Sequence, residues 1–186
     1  MQKPFVTRQA AVLAVRQGRD GLKVLMVTSR RRRRWVLPKG MIDAGLTARE
    51  SAAREAWEEA GVSGFVGRRI IGHYRYGKTG RHGLKPCIVE VYAMNVTGVH
   101  PSWPEHRQRR RAWLPLERVA GAASDGQLAH LLSVVASRAA TAGTGPDTWA
   151  VNGVPGKVGA RDGLAGCRRR PAIVRGKAAC PRREPR

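Results

Sequence analysis

Short apolar stretches separated by turns dominate the first part of the chain. Residues 10–15 form an apolar run with β-branched residues, and residues 22–28 (LKVLMVT) follow it after the turn sequence GRDG. Two such runs around a glycine turn are typical of a β-hairpin. Residues 35–37, 65–76 and 86–96 also favour strands, because they are apolar, rich in β-branched and aromatic residues, and bounded by glycine or proline.

Helical spacing is clearest in two segments. Residues 47–60 begin with Thr47 and Glu50, whose separation is that of a capping box, and continue with alanine-rich turns that Gly61 ends. Residues 124–140 repeat leucine and valine at intervals of three and four, which predicts an amphipathic helix. Strands, a helix, further strands and a second helix in this order indicate an α/β fold with a mixed β-sheet covered by helices.

Three weaker signals complete the assignment. Residues 77–83 combine glycine with basic residues and predict a turn. Residues 114–119 are interpreted as a short helix, and Ser124 is the expected N-cap of the second long helix.

The composition changes after residue 140. Residues 141–186 are rich in Gly, Pro, Ala and Arg and have no sustained periodicity, so we predict a disordered basic tail behind one folded domain, 1–140. No apolar run approaches the roughly 18 residues that a membrane-spanning helix requires, so we expect no membrane partner. The three cysteines are odd in number and widely spaced, which argues against a disulfide framework or a zinc site and favours a reducing, cytoplasmic setting.

The net charge indicates the kind of partner. The chain has 35 Lys and Arg against 13 Asp and Glu, a formal charge of +22. Such a charge favours polyanions: nucleic acid, an acidic membrane surface or a highly phosphorylated small molecule. A basic surface that is simply solvated is the alternative on charge alone.

Acidic residues are concentrated in the first long helix. Glu50, Glu55, Glu58 and Glu59 lie within ten positions, and the last three share one helix face. Like charges at this spacing repel, whereas a hard divalent cation such as Mg²⁺ would turn the repulsion into attraction. Arg54 is spaced to form i, i+4 ion pairs with Glu50 and Glu58. A solvated charged face would be the ordinary explanation, but the glycine loop that directly precedes the capped helix favours a site.

These residues resemble the Nudix box. Gly40 corresponds to its first glycine, and residues 54–62 (REAWEEAGV) correspond to its second half at the correct spacing. The preceding WVLPKG, residues 35–40, extends the resemblance, which covers about residues 5–140. One position departs from the pattern, because Leu46 stands where the box has its first glutamate. Glu50 or Asp43 is a candidate substitute, and spacing does not choose between them.

The resemblance implies a Nudix-like α/β/α sandwich and the hydrolysis of a phosphoanhydride bond with Mg²⁺, or with Mn²⁺ as a substitute. It implies that Glu58 and Glu59 are metal ligands and that Glu55 is a further ligand or the general base for the attacking water. Arg54 would orient a carboxylate, and the backbone carbonyl of Lys39 would complete the coordination.

Other segments resemble the diphosphoinositol polyphosphate phosphohydrolase-like branch of that family. They are Thr28-Ser29 with the arginines that follow, residues 74–78 (YRYGK) and residues 103–105 (WPE). The resemblance implies a phosphorylated small-molecule substrate such as a diphosphoinositol polyphosphate or a dinucleoside polyphosphate. Outside the box, Glu105 in a loop-like stretch is the preferred candidate for an additional metal ligand, and Glu90 in a strand is the alternative. Basic and glycine residues near the box are the expected substrate-binding residues: Arg30, Arg31, Arg32, Arg33, Arg34, Lys39, Gly40, Arg75 and Lys78.

Two other functions remain open from the sequence. Leu46 is the feature expected of a non-catalytic Nudix-fold regulator that binds a ligand without turnover. The basic tail is the feature expected of an RNA-binding protein or an RNA-end pyrophosphohydrolase, because it would hold phosphates without sequence preference.

Overall fold

The computed structural model describes residues 6–80 and 83–142, in which seven strands form one mixed sheet. In chain order the elements are β1 Thr7–Gly18, β2 Gly21–Thr28, β3 Trp35–Val36, β4 Lys39–Met41, α1 Ala48–Ala60, β5 Val62–Gly80, β6 Gly83–Val99, β7 Arg111–Pro115, α2 Val119–Ala122 and α3 Gly126–Ala142.

The sheet has the path β3-β2-β1-β6-β5, with β4 paired to β1 and β7 paired to β2. Strands β1 and β2 form the predicted hairpin, closed by the pair Gly18 and Gly21. The pairing of β1 with β6 is parallel, and the other pairings are antiparallel. This combination confirms the predicted mixed sheet.

Helices cover both faces of the sheet. Helix α1 places Ala52 and Ala56 against the even-numbered apolar residues of β1, and α3 places Leu128 and Leu132 against the odd-numbered ones. Because β1 is buried on both sides, its run 10–15 is apolar throughout rather than alternating. Each buried leucine contributes about 2 kcal/mol, so both layers stabilise the sandwich. The predicted α/β/α arrangement is confirmed.

Helix α1 has the ends that the sequence predicts. The Thr47 side chain accepts from the Glu50 backbone N–H, and the Glu50 carboxylate accepts from the Thr47 N–H at 2.8 Å. Gly61 adopts φ 61° and donates its N–H to the last turn of the helix. A left-handed residue at this place favours glycine, which has no Cβ to clash with the following carbonyl group.

Three local assignments differ from the structure. Residues 39–41 form β4 rather than loop, because they find a partner in β1. Strand β5 continues to Gly80, so the predicted turn at 77–83 is shorter than expected, and residues 81–82 lie outside the described part. The predicted helix at 114–119 is wrong: Arg111–Pro115 is strand β7, whose hydrogen bonds extend the sheet beside β2.

The N-terminus of α3 also begins later than predicted. Asp125, rather than Ser124, provides the cap, since its Oδ1 accepts from the N–H groups of Gln127 and Leu128 at 3.0 and 3.1 Å. A carboxylate there also interacts favourably with the positive end of the helix dipole.

The predicted tail, 141–186, lies outside the described residues except for positions 141 and 142, which end α3. Within the described ranges, no helix is long and apolar enough to cross a membrane.

Candidate active site

Glu55 lies directly over the backbone of β4. A Cβ added at Gly40 would stand 1.8 Å from Glu55 Oε1, so the carboxylate occupies space that any other residue at position 40 would fill. Lys39 and Gly40 alternate across the sheet, since they pair with Ala11 on the α3 side and Ala10 on the α1 side. The glycine therefore admits the helix carboxylate while the lysine side chain points to the other layer.

The surroundings of Glu55 disfavour its charge. Burial first, and then the neighbouring carboxylates of Glu59 and Glu58, raise the pKa of Glu55 to about 7, and Arg54 opposes that shift only in part. A partly buried carboxylate between two others, with too little positive charge nearby, is an environment that a cation would stabilise.

Glu59 is the most buried member of the cluster, with 4% of its surface exposed. Its Oε2 accepts from the Lys39 backbone N–H at 3.1 Å, and its Oε1 accepts from Arg109 Nη2. Burial raises the pKa of Glu59, and Arg109 and Lys39 oppose that shift. Burial also lowers the pKa of Lys39, whose Nζ stands 5.2 Å from the centre of the Tyr76 ring.

Glu58 is the most accessible of the three carboxylates, with 38% of its side chain exposed. Arg54 Nε lies 3.5 Å from Glu58 Oε1, and Arg54 Nη2 contacts Asp43 Oδ2. Arg54 thus links the helix to the loop in front of it, a position consistent with an orienting role. Glu50 is instead held by Thr47 in the capping box.

The position of the missing box glutamate is occupied by a partly exposed side chain. Leu46 is 37% exposed and offers no oxygen to the cluster. Of the two candidate substitutes, Asp43 approaches the cluster through Arg54, whereas Glu50 is engaged at the helix N-terminus.

Arg109 is a central residue that the sequence did not indicate. Its guanidinium is buried and donates to Glu59 Oε1, to Glu105 Oε2 at 2.5 Å and to the Thr28 carbonyl oxygen at 2.9 Å. Glu105 also accepts from Arg30 at 2.5 Å. Because Arg109 contacts both Glu105 and Glu59, its guanidinium links the two carboxylates. Arg109 sits in a run of three arginines without periodicity, and no local pattern separates it from its neighbours.

The segment 100–111 fastens Glu105 to the C-terminal end of α1. The Glu105 N–H donates to the Glu58 carbonyl at 3.0 Å, and Trp103 Nε1 donates to the Glu59 carbonyl at 3.2 Å. Arg111 donates to the Ala60 carbonyl at 2.6 Å and stacks 4.0 Å over the Trp103 ring. Carbonyl groups that a helix end leaves without partners are satisfied here by residues far along the chain.

The run of arginines does not act as one unit. Arg30 contacts Glu105, and Arg33 Nη1 donates to the Gln108 carbonyl at 2.8 Å. Arg31, Arg32 and Arg34 have exposed side chains.

The two basic residues expected on β5 lie on different faces. Strand alternation places Lys78 on the same side as Tyr76 and Arg75 on the opposite side. The charge of Lys78 acts on Lys39, whereas the Arg75 N–H bonds to Gln127 at the start of α3. Lys78 thus shares the α3 side of the sheet with Tyr76 and Lys39, opposite the layer of Glu55, and the contacts of the described residues place neither Lys78 nor Arg75 at the carboxylates.

The donor set fits a hard divalent cation in its chemistry. Glu55, Glu58 and Glu59 offer carboxylate oxygens, and Glu55 is crowded by like charge. In the described ranges the acidic, histidine and cysteine side chains form no ready group of three ligands, and Glu59 and Glu105 are directed at arginines. A bound cation would therefore be coordinated by the accessible Glu58 and by Glu59, with the crowded Glu55 as a further ligand.

Part of the chain is similar in sequence to known proteins. The chain is 38% identical over 100 residues to Nudix hydrolase 16, mitochondrial, of Arabidopsis thaliana, covering 52% of this chain and 55% of the relative. It is 30% identical over 112 residues to diphosphoinositol polyphosphate phosphohydrolase 3-alpha of Homo sapiens, covering 59% of this chain and 65% of the relative. The alignments thus span between about half and two thirds of these relatives.

A solved structure agrees on the fold. The C. elegans Ap4A hydrolase in a binary complex superimposes with a TM-score of 0.55 at 21% identity, covering 74% of this chain and 99% of that one. The family model described as NUDIX domain matches residues 7–132, which include every strand of the sheet and helix α1. On this match, together with the box residues assembled around Gly40, the chain belongs to the Nudix domain family.

Proposed function

We propose that this protein is a Mg²⁺-dependent Nudix hydrolase that cleaves a phosphoanhydride bond in a highly phosphorylated substrate. The observation that carries the proposal is the position of Glu55, buried over Gly40 and crowded by the carboxylates of Glu58 and Glu59. Mutual repulsion among the three carboxylates opposes folding, so a cation-binding role accounts for their grouping better than a structural one.

We assign each of the box residues a role according to its position. Glu58, Glu59 and the Lys39 carbonyl would hold the ion, and Glu55 would be a further ligand or the base that takes a proton from the attacking water. Arg54 contacts both Asp43 and Glu58, and it thereby orients the Glu58 carboxylate. A bound Mg²⁺ would neutralise phosphate charge and lower the pKa of its water. Mn²⁺ would serve in the same role.

The proposed substrate classes are diphosphoinositol polyphosphates and dinucleoside polyphosphates. One relative is named for the first class, and the structural neighbour is named for a dinucleoside tetraphosphate. Arg30 contributes positive charge at Glu105, and Arg33 contacts the Gln108 carbonyl in the same segment, which suits a substrate with many phosphates.

The test is release of hydrolysis products (orthophosphate, nucleotides or sugar phosphates), resolved by anion-exchange chromatography, from a panel of diphosphoinositol polyphosphates, dinucleoside polyphosphates, nucleotide sugars and capped RNA, with Mg²⁺ or with EDTA. Glu58→Gln is expected to abolish release, because it removes an accessible ligand charge. Glu50→Gln on the same helix is the matched control and should retain activity, since Glu50 is engaged in the capping box. Release that persists in EDTA or in Glu58→Gln would contradict the proposal.

A non-catalytic regulator is the second candidate, favoured by the exposed Leu46 at the box position that normally has a glutamate. Folded protein that binds members of the panel and hydrolyses none would establish that function. Leu46→Glu would then be the variant in which turnover is sought.

A further inference from the structure

Three oxygen atoms from distant parts of the chain converge on the buried guanidinium of Arg109. They are Glu59 Oε1 on helix α1, Glu105 Oε2 in the segment 100–111 and the carbonyl oxygen of Thr28 at the end of β2. Carboxylates and backbone carbonyls are the ligands that hard divalent cations take in proteins. The three oxygens thus form a set that suits such a cation, and a side chain of the protein itself fills it.

Backbone hydrogen bonds hold this set in place. The Glu105 N–H donates to the Glu58 carbonyl at 3.0 Å, and the Arg109 N–H donates to the Glu105 carbonyl at 3.0 Å. On the other side, the Thr28 N–H donates to the Arg110 carbonyl at 2.9 Å, and Thr28 Oγ1 accepts from the Arg110 N–H at 2.9 Å. The positions of the oxygens therefore do not depend on the Arg109 side chain alone.

The two carboxylates differ in what they still offer to an ion. Glu105 has both oxygens in ion pairs, since Oε2 faces Arg109 and Oε1 faces Arg30, each at 2.5 Å. Glu59 has Oε1 on Arg109, and its Oε2 accepts from the Lys39 N–H at 3.1 Å. A carboxylate oxygen that accepts one N–H keeps a lone pair, so Glu59 can still bind an ion together with Glu58. Glu105 is engaged by guanidinium groups on both oxygens.

The charge of Arg109 is permanent and poorly screened. The exposed side-chain fractions of Arg109, Glu59 and Glu105 are 7%, 5% and 14%. Two carboxylates brought together at such burial would repel each other without a positive charge between them. A guanidinium stays protonated and cannot dissociate from the chain, so it supplies that charge at every Mg²⁺ concentration.

We propose that Arg109 takes the place of a second divalent cation between Glu59 and Glu105, and that Glu105 is a positioning residue rather than a metal ligand. This inference rests on the proposed function for the ion at Glu58 and Glu59, and it confines the metal site to that side of the cluster. Glu105 acts through Arg109, which holds Glu59 in place.

The experiment counts Mn²⁺ bound to the full-length protein without substrate, from the electron paramagnetic resonance signal of the free ion. Arg109→Ala empties the position and is expected to bind about one more Mn²⁺ than the wild-type chain, with Glu59, Glu105 and the Thr28 carbonyl as ligands. Arg109→Lys keeps a positive charge and should bind no additional ion. Arg110→Ala removes the exposed arginine next in the chain and is the matched control. Equal counts in Arg109→Ala and Arg110→Ala would overturn the proposal.

Thermal unfolding tests the same exchange through stability. An ion that binds only the folded state raises the melting temperature, by about 5–10 °C at a hundredfold excess over its Kd. We expect Mn²⁺ to give Arg109→Ala this shift in addition to the shift that it gives Arg110→Ala. Identical shifts in the two variants would contradict the exchange of a guanidinium for an ion. If Arg109→Ala does not fold even with Mn²⁺, the next comparison decides.

Glu105→Gln tests the assignment in protein that keeps Arg109. The amide retains an oxygen that accepts from Arg109, so the Mn²⁺ count should stay the same and Kd should change less than about threefold. Glu58→Gln removes a proposed ligand and should weaken Mn²⁺ binding more than about tenfold. A loss in Glu105→Gln as large as that in Glu58→Gln would show that Glu105 is a ligand and overturn the proposal.

Turnover separates this inference from the proposed function. The Mn²⁺ counts require neither substrate nor hydrolysis. A protein that hydrolyses no compound of the panel, yet gains an ion in Arg109→Ala, would contradict the proposed function and leave the assignment of Arg109 standing. A Mg²⁺-dependent hydrolase whose Glu105→Gln variant loses Mn²⁺ would do the reverse.

Discussion

The two ends of helix α1 are closed in opposite ways. At its N-terminus, Thr47 and Glu50 satisfy each other within three residues. At its C-terminus, the last carbonyl groups accept from Trp103, Glu105 and Arg111, which lie more than forty positions away. Glu58 and Glu59 stand at the second end, so the geometry of the proposed metal ligands depends on tertiary contacts rather than on local helix stability.

The largest effect should come from Arg109→Met. Removing the guanidinium leaves the buried Glu59 without its charged partner and Glu105 with Arg30 alone, and breaking such a buried pair costs about 3–5 kcal/mol. Urea unfolding measures the loss. Arg110→Met, one residue along and exposed, is the control and should change the free energy of unfolding by less than about 0.5 kcal/mol. Similar losses of unfolding free energy in the two variants would show that the buried Arg109 ion pairs stabilise the fold no more than the exposed Arg110 does.

Gly61→Ala should have the next largest effect. The new Cβ would lie 2.8 Å from atoms of the Trp103 ring and 2.9 Å from Arg111 Nη1, at a position with φ 61°. We expect a loss of about 2 kcal/mol from backbone strain and displaced neighbours, together with reduced activity. Gly45→Ala is the matched control, because Gly45 also has positive φ but nothing within 4 Å. If both substitutions lower the melting temperature equally, the close approach of Trp103 to Gly61 does not contribute to the loss.

Trp103→Phe should have a smaller effect. The change keeps an aromatic ring beside Arg111 and removes only the donor to the Glu59 carbonyl, a loss of about 1.5 kcal/mol. We expect kcat to fall as well, because Glu59 is displaced. Trp113→Phe keeps its ring next to Arg16 and should leave kcat unchanged. A Trp103→Phe enzyme with normal kcat would contradict the role of this end in positioning the carboxylates.

Thr47→Ala should have the smallest effect of the four. Loss of an N-cap hydrogen bond costs about 1 kcal/mol, and Thr47→Ser should restore most of it. Activity per folded molecule is expected to stay unchanged, since the cap lies at the opposite end from Glu58 and Glu59. Reduced kcat at a temperature where the protein is fully folded would show that the two ends are not independent.

The contrast between the ends also explains what the sequence could predict. The capping box, the left-handed Gly61 and the Glu55–Glu58–Glu59 face depend on spacing of a few residues, and all could be assigned from the sequence. Arg109 could not, because its importance comes from Glu59 and Thr28, which are fifty or more positions away and approach only in the folded sheet. Nothing in a run of three arginines distinguishes the buried one.

The errors in secondary structure have a similar origin. Residues 111–115 form a short apolar run that fits a strand or a helix equally, and the free edge of β2 decides in favour of a strand. Ser124 and Asp125 are both good caps, and the backbone path into α3 selects the second.

Strand β4 is only three residues long, yet its pairing with β1 determines which of its side chains faces each helix layer. Its pairing with β1 sends the Lys39 side chain into one layer and leaves the space above Gly40 to a carboxylate of the other. Because side chains alternate with a period of two, a single residue inserted between Val36 and Lys39 would exchange the two layers. A lysine would then occupy the carboxylate cluster and Glu55 would lose its space, so a change of length in this connection should disrupt the site.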